Sequence, residues 1–495
     1  MFAARFGPSA KQIARVETAM RRSGLRVGTL ASNHLLLGLS GSVSTVEHAF
    51  HTSVVGYALA GGSTGWATSS TPRLERTAAS GIQSILGLDN LVSPSSQLRR
   101  APAVTASTVA RADAKGVTAH VTPSAAGAPT GCDAAIKDAL IGGGWTDSQI
   151  AQAYGLDGLY ARGDVGAGQT IALFELEPFL SSDVATFDRC YFGASHASQL
   201  QTVPVDGFNL VGPGSGEAIL DIDDLTTLAP AAKILVYEAP NTTFGGIDEY
   251  NAIVSQDRAN IVSTSWGECE SALETAAPGS QQLENVIFEE AAAQGQTVIS
   301  AAGDTGSDDC AGTQFGNSTA VQPYLSADDP ASQPYVLAAG GTSLQSDTDP
   351  PSQTVWNHGS DWGGGGGGFS LTWPMPSWQQ SSDVPGIATI GNRELPDVSA
   401  SADEWRGVTV YSQGFIPSSG SALPNASPVP PGWTTIGGTS SAAPTWAAVL
   451  ADIAASGGAC STLPTTAGGP DLGFVSPELS AIASNPSAYA QSFSD

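Results

Sequence analysis

Positive charge is scarce in this sequence. Its 495 residues hold 19 Lys+Arg against 46 Asp+Glu, a formal net charge of -27. Nucleic acid and anionic membrane surfaces bind cationic faces, so both are excluded as main partners. Charge of either sign is thin, at 13% of residues, about half the usual share. Long apolar runs are missing too: Leu35-Leu36-Leu37 and Ala447 to Ala455 fall short of the ~18 residues that span a bilayer. Cysteine is sparse, and Cys132, Cys190, Cys269, Cys310 and Cys460 match no close-spaced metal pattern. Disulfides in an exported protein account for them, with one left over. The start, Met1 to Pro8, lacks the apolar stretch and cleavage site of a signal peptide. A secreted protein whose leader lies outside this chain is therefore expected.

What is present is apolar and loop-rich: 41% hydrophobic residues, with Gly 58 and Pro 31. Charge is unevenly spread. Residues 1–130 carry 12 Lys+Arg and 5 Asp+Glu (net +7), and residues 131–495 carry 7 and 41 (net -34). The basic part is expected to dock on the acidic part near neutral pH and to loosen as carboxylates take up protons. Within it, Lys11, Ile13, Val16 and Met20 have helical spacing, Leu25 to Leu39 reads as two strands around Ala31-Ser32-Asn33, and Ser44 to Phe50 as a second helix. A small α+β unit ends near Asn90. The Ser-, Ala-, Pro- and Thr-rich stretch from Ser93 to Pro129, which includes Arg99-Arg100, reads as an extended, protease-accessible linker. Beyond it, strands at Thr170 to Phe174, Ile234 to Tyr237, Ile261 to Ser265, Val298 to Ala302 and Tyr335 to Ala339, with a helix over Gln281 to Ala293, imply a parallel sheet with right-handed crossovers. Functional groups in such a sheet collect beyond the carboxyl ends of the strands.

Three strings there carry chemistry. Gly437-Gly438-Thr439-Ser440-Ser441-Ala442-Ala443-Pro444 brings a serine to the start of a helix, where free N–H groups favour developing negative charge; Pro444 suits a first helical turn. Of six histidines, only His196 and His358 lie beyond the linker, and neither sits where a serine's base is needed. Carboxylates are the alternative: Glu217 and Asp221 are four residues apart, on one face of a helix, and neighbouring acids raise each other's proton affinity. Asp304 follows the strand Val298 to Ala302, where a protonated carboxyl can donate to an oxyanion. Asp304-Thr305-Gly306 also looks like the triplet of pepsin-like proteases, but those need a second triplet and an all-β fold. The run Gly363 to Gly368 is either a loop beside the cleft or a surface loop without a role.

Together the strings resemble the sedolisin (serine-carboxyl peptidase) family, its kumamolisin-like branch most closely. The motifs are Phe2 to Ser9, Glu217-x-x-x-Asp221-Ile222 with Ala229-Pro230, Ser263-Thr264-Ser265-Trp266-Gly267, Ala302 to Ser307, and Gly437 to Ser440 with Ala443-Pro444. The resemblance implies an α/β fold, a subtilisin-like parallel sheet flanked by helices behind a small α+β ferredoxin-like prodomain. Its domains are an activation prodomain over 1–92, a linker with the processing region over 93–130, and a catalytic domain over 131–495. It makes Ser440 the nucleophile, Glu217 the general base and then acid, Asp221 its orienting partner, Asp304 the oxyanion donor, and Glu175 an accessory acid; Ser265, Trp266 and Gly267 bind substrate backbone. It implies an acid-acting endopeptidase made as a zymogen, a monomer inhibited by its own prodomain and acting on proteins and peptides. The alternatives are a tripeptidyl-peptidase of the same family, a catalytically impaired peptide-binding relative, or a glycosidase using the acid pair. It also makes Cys269–Cys310 the favoured disulfide. Ca2+ is expected from the family; Asp495 matches the first ligand of the calcium loop, and the later ligands are absent, which leaves that site incomplete.

Overall fold

The computed structural model describes residues 2–58, 64–100, 129–194, 196, 199–207, 216–311, 325–359, 363–380, 391–414, 431–457 and 472–493. The N-terminal unit begins with the helix Ala10–Arg22, whose N-cap Ser9 and Gln12 form a reciprocal capping box. A hairpin follows, β1 (Arg26–Leu30) and β2 (Leu37–Ser40), then the helix Val43–Phe50 and a second hairpin, β3 (Val54–Ala58) and β4 (Thr64–Thr68). Met20, Leu25, Ala49, Phe50 and Ala78 form its small core.

The large unit is built on a twisted eight-stranded sheet. Its main path runs β14 (Gln353–Val355), β13 (Val336–Leu344), β11 (Thr297–Ala301), β9 (Ile261–Thr264), β6 (Thr170–Glu175), β8 (Lys233–Glu238), β7 (Leu200–Pro204), with β17 (Val398–Ser401) also paired to β13. All pairings are parallel except β13 with β14. These strands are near-continuous apolar runs because helices cover both faces. One face packs on the helices Gly216–Leu228 and Thr439–Ala455, the other on Thr243–Gln256 and Ser280–Gln294. Chain order reverses on either side of β6, and that switch point opens a crevice beyond the strand ends. Two hairpins complete the unit: β15 (Gly368–Pro374) with β16 (Asn392–Leu395), and β18 (Val408–Ser412) with β19 (Gly432–Ile436). Disulfides join Cys132 to Cys190 and Cys269 to Cys310; Cys460 lies outside the described residues.

The two units meet through apolar and amide contacts. Leu35, Leu36 and Leu86 pack on the cluster around Tyr237, Ile253 and Phe288. Asn33, 3% exposed, donates to Asn251 Oδ1 at 2.8 Å and Glu290 Oε2 at 2.7 Å. The strong charge asymmetry does not translate into a row of interfacial ion pairs. Among the described residues, the one that joins residues 1–100 to the large unit is Arg99–Asp304.

Candidate active site

The helix Gly216–Leu228 is buried along its whole length. Glu217, Asp221 and Asp224 recur at four and three residues and so share a face, which meets the serine helix Thr439–Ala455. That second helix starts at Thr439, earlier than the apolar periodicity from Trp446 suggests, and Pro444 falls in its second turn instead of its first. Proline supplies no N–H for the carbonyl four residues back, so the Ser440 carbonyl is released from the helix ladder. Ser265 Oγ takes it up at 3.2 Å and lies 3.0 Å from Asp221 Oδ1. Ser441 Oγ donates to Asp224 Oδ2 at 3.0 Å, tying the first turn behind Ser440 to the acid helix.

Glu217 and Asp221 are 2% and 0% exposed. Burial pushes the Glu217 carboxyl well above the usual range; the charge of Asp221 adds to this, and the hydroxyls of Ser440 and Ser96 oppose it. Burial likewise raises Asp221, with the Ser265 hydroxyl pulling it back. Glu175 ends β6 beside them, and Trp266 Nε1 donates to its Oε2 at 3.0 Å. Burial and then the charges of Asp221 and Glu217 raise Glu175, and Trp266 lowers it. No lysine or arginine among the described residues pairs with any of the three. Three buried carboxyls without a cation cannot all ionise, so the cluster retains protons and can pass one to a neighbour.

Asp304 projects from the end of β11, just after Gly303, whose φ of +98° favours glycine. The run Gly363 to Gly368 is a clamp on this turn, not an idle surface loop: Gly364 N donates to Asp304 O at 3.0 Å and Gly366 N to Gly303 O at 2.7 Å. A Cβ on Gly366 would lie 2.0 Å from Ala302 O, which is why a side chain there is excluded. Asp304 Oδ1 accepts from Thr439 N at 2.7 Å and Thr439 Oγ1 at 2.8 Å, and Oδ2 accepts from Arg99 Nε at 3.1 Å. Burial pushes this carboxyl up to about 6, against the pull of Arg99 and Thr439.

The cleft is filled by the chain's own residues. β5 (Ser95–Ser96) pairs antiparallel with β10 (Trp266–Cys269), Ser96 opposite Trp266 and Ser95 opposite Gly267. Gln97 N donates to Ser265 O at 2.9 Å, and Ser440 N to Gln97 O at 3.3 Å. Arg99 and Gly437 exchange two backbone hydrogen bonds, each of 2.8 Å. Gln97, Leu98 and Arg99 are 6%, 7% and 8% exposed, so this part of the stretch read as an accessible linker is covered; residues 101–128 lie outside the described set. Ser265, Trp266 and Gly267 thus present backbone to the chain's own Ser95–Gln97 segment. The Gln97 side chain donates to Asp328 Oδ2 at 3.0 Å. Asp328 sits on β12 (Asp328–Asp329), which pairs with the other edge of β10, and glycine at 267 leaves it room, since a Cβ there would meet its carboxylate at 2.2 Å.

Sequence reading missed Asp328 and Thr439 as site groups and saw Arg99 only as linker charge. The one signal in the sequence was the Arg99-Arg100 pair in a stretch otherwise made mostly of small residues, and nothing in it singles out Arg99. Asp495, the one calcium ligand read from sequence, lies outside the described residues. His358, Asp403 and Glu404 bring ligand atoms within 4.8 Å of one another, beside a cavity of about 520 Å³ lined also by Trp405 and Arg406. One imidazole and two carboxylates do not supply the six or more oxygens of a calcium shell, so no step is assigned to calcium here.

Residues 209–458 match the subtilase family, and residues 1–91 match the pro-kumamolisin activation domain. The chain is 38% identical over 320 residues to kumamolisin of Bacillus sp. (strain MN-32), covering 62% of this chain and 52% of that protein. It is 30% identical over 430 residues to sedolisin of Pseudomonas sp. (strain 101), covering 84% and 66%. Against human tripeptidyl-peptidase 1 it is 30% identical over 348 residues, covering 68% and 55%. The matches therefore span about half to two thirds of these relatives' own length. Among solved structures, Pseudomonas sedolisin complexed with two molecules of pseudo-iodotyrostatin is similar, with a TM-score of 0.55 and 27% identity over 70% of this chain and 86% of that one.

Proposed function

The chain belongs to the sedolisin family of peptidases, a subtilase-type domain behind a pro-kumamolisin activation domain, and on that premise we propose that it is an acid-acting serine-carboxyl endopeptidase held as a zymogen. Ser440 Oγ attacks the scissile carbonyl as Glu217 takes its proton, and Glu217 then returns that proton to the leaving amine. Asp221 and Glu175 keep the base in a shared-proton cluster, so that it can both accept and release a proton at acid pH. Asp304 in its neutral form and the Ser440 N–H face the developing oxyanion. Water then hydrolyses the acyl-enzyme. Two disulfides support an exported protein.

The observation that carries this reading is the path of residues 94–99. They lie across Ser440 in the register of a substrate, and the chain continues upstream: Thr243 Oγ1 donates to Val92 O at 2.8 Å, and Pro94 lines an apolar recess with Phe174, Tyr250, Trp266 and Leu273. Release of tripeptides needs a cleft closed three residues before the scissile bond, and this one is open there. An internal peptide bond is the expected target, with a hydrogen-bond donor such as an amide or a cation preferred at the position held by Gln97. Two peptides of identical sequence, one with a free and one with an acetylated N-terminus, are expected to be cut at equal rates at about pH 4. A more than tenfold preference for the free amine would instead support the tripeptidyl alternative.

The same site gives a pH prediction. Asp304 donates only while protonated; burial holds its carboxyl up to about 6 even with Arg99 beside it, so donation is available at acid pH and fades as the pH rises through the carboxyl's range. Asp304→Asn replaces the acid with an amide that donates at any pH. We expect the variant to lose less than tenfold at pH 4 and to retain activity to higher pH, whereas Asp304→Ala loses about 10²–10³-fold in kcat. If the amide variant declines at the same pH as the parent, another group sets the alkaline limit.

A further inference from the structure

We propose that Gln97–Leu98 is the bond this chain first cuts in itself, and that Arg99, two residues beyond it, restrains the cut by occupying Asp304. The inference rests on the peptidase reading above and adds to it the bond and the brake. Gln97 is the residue whose N–H reaches Ser265 O and whose carbonyl oxygen receives the Ser440 N–H. That carbonyl faces the oxyanion side of the cleft: a Cβ on Gly438 would sit 2.0 Å from Gln97 O and 2.7 Å from Asp304 Oδ2. The carbonyl of Gln97 is thus the only one in the Ser95–Arg99 strand placed between the nucleophile's N–H and the oxyanion acid. Its side chain is seated on Asp328, and Arg99 fixes the downstream end through both backbone bonds to Gly437.

The reaction balances within these groups. Ser440 Oγ adds to the Gln97 carbonyl carbon while its proton passes to Glu217. The bond to the Leu98 nitrogen then breaks as that proton is delivered to the nitrogen, leaving Gln97 as an acyl group on Ser440. A water molecule hydrolyses the ester, giving a fragment of residues 1–97 and a chain that begins at Leu98.

The bond is presented, yet the oxyanion acid is turned away from its task. Both Asp304 oxygens act as acceptors, Oδ1 for Thr439 and Oδ2 for Arg99. The groups that act on Asp304 are Arg99 from the linker, Glu217 from the acid helix, Asp309 from the loop after β11, and Glu404 from the turn following β17. Arg99 is the sole cation in that set, and the three acids oppose an Asp304 charge. Arg99 therefore keeps Asp304 ionised to lower pH than its surroundings alone would allow. Protonation breaks the ion pair and supplies the missing donor in one event. The brake is local and buried, with the guanidinium side chain 10% exposed and the carboxyl 0%, so salt at moderate concentration is expected to leave it in place.

The test uses the full chain, incubated for a fixed time across a pH series and analysed by intact mass and N-terminal sequencing. The expected first product begins at Leu98. In Arg99→Met the pH of half-processing should move upward by about one unit or more, because an opposite charge at this range lowers a carboxyl by about that amount; Arg99→Lys should stay near the parent. A first new N-terminus elsewhere, or a midpoint that does not move in Arg99→Met, overturns the proposal. Should Arg99→Met fail to fold, Arg99→Gln replaces it with the same expected upward move, and an unmoved midpoint overturns the brake; Leu98→Pro tests the bond, where loss of the 1–97 fragment supports the assignment and its persistence overturns it. Ser440→Ala separates the two layers. Processing that persists in Ser440→Ala overturns the peptidase reading itself, whereas processing that needs Ser440 but starts at another bond overturns only this inference.

Discussion

Ser440→Ala is expected to lower kcat on an unblocked protein substrate such as casein by about 10⁶-fold at about pH 4 and to leave the chain uncut. Ser440 is 0% exposed, so its hydroxyl makes little contribution to solubility. Replacement by alanine removes one atom from a turn held by Thr439, Ser441 and Pro444, and the fold should persist. The residual rate should be that of groups which orient and polarise the carbonyl without attacking it, namely Asp304 and the backbone N–H. Two readouts are needed, casein turnover by separately activated parent enzyme as reference and intact mass of the variant precursor. A variant that retains a tenth of the parent's turnover would remove Ser440 from the nucleophile's role. If that residual activity were blocked by pepstatin, the pepsin-like reading of Asp304-Thr305-Gly306 would replace it.

Glu217→Gln should cost about 10⁴-fold in kcat with little change in KM. The amide matches the carboxyl in shape but cannot take the serine's proton, so the loss falls on the chemical step. It also removes one of the charges that raise Glu175, and Glu175 should then titrate at lower pH. A loss expressed only as a raised KM would mean that Glu217 binds substrate and another group supplies the base. Trp266 provides a check from the other side of the cluster: its Nε1–H donates to Glu175, while its backbone belongs to the strand that pairs with Ser95–Ser96. A change at this position therefore perturbs both functions, and Glu217 is the cleaner probe.

Much of this site was legible in the residues. Short, nearly continuous apolar runs locate β6, β8, β9 and β11, because buried parallel strands are nearly all apolar and their ends are marked by polar or small residues. Glu175, Ser265 and Asp304 then fall at strand ends without any further information. The pair Glu217 and Asp221 is legible because helical spacing alone puts them on one face. Pro444 was harder. Its effect depends on the helix beginning at Thr439, a boundary set by Gly438, Asp304 and the tertiary contacts of the first turn, and local pattern cannot supply those. The role of Gly363 to Gly368 was equally hidden, since a glycine run reads as freedom until another backbone lies against it.

The charge asymmetry marks the boundary between the two kinds of information. Sequence alone determined that a basic N-terminal part precedes an acidic one, that a serine stands before an apolar helix and two carboxylates stand four residues apart, and which residue types stand at each motif. Those conclusions follow from residue identity and short-range periodicity. The tertiary structure decided that attraction between the parts is not spread over a surface but concentrated, among the described residues, in Arg99 and Asp304, which are 205 positions apart. It also decided that Gln97, 343 positions before Ser440, is the residue laid against that serine. Contacts at such separation depend on how β10 and the serine helix are stacked around one sheet, and no local spacing encodes them.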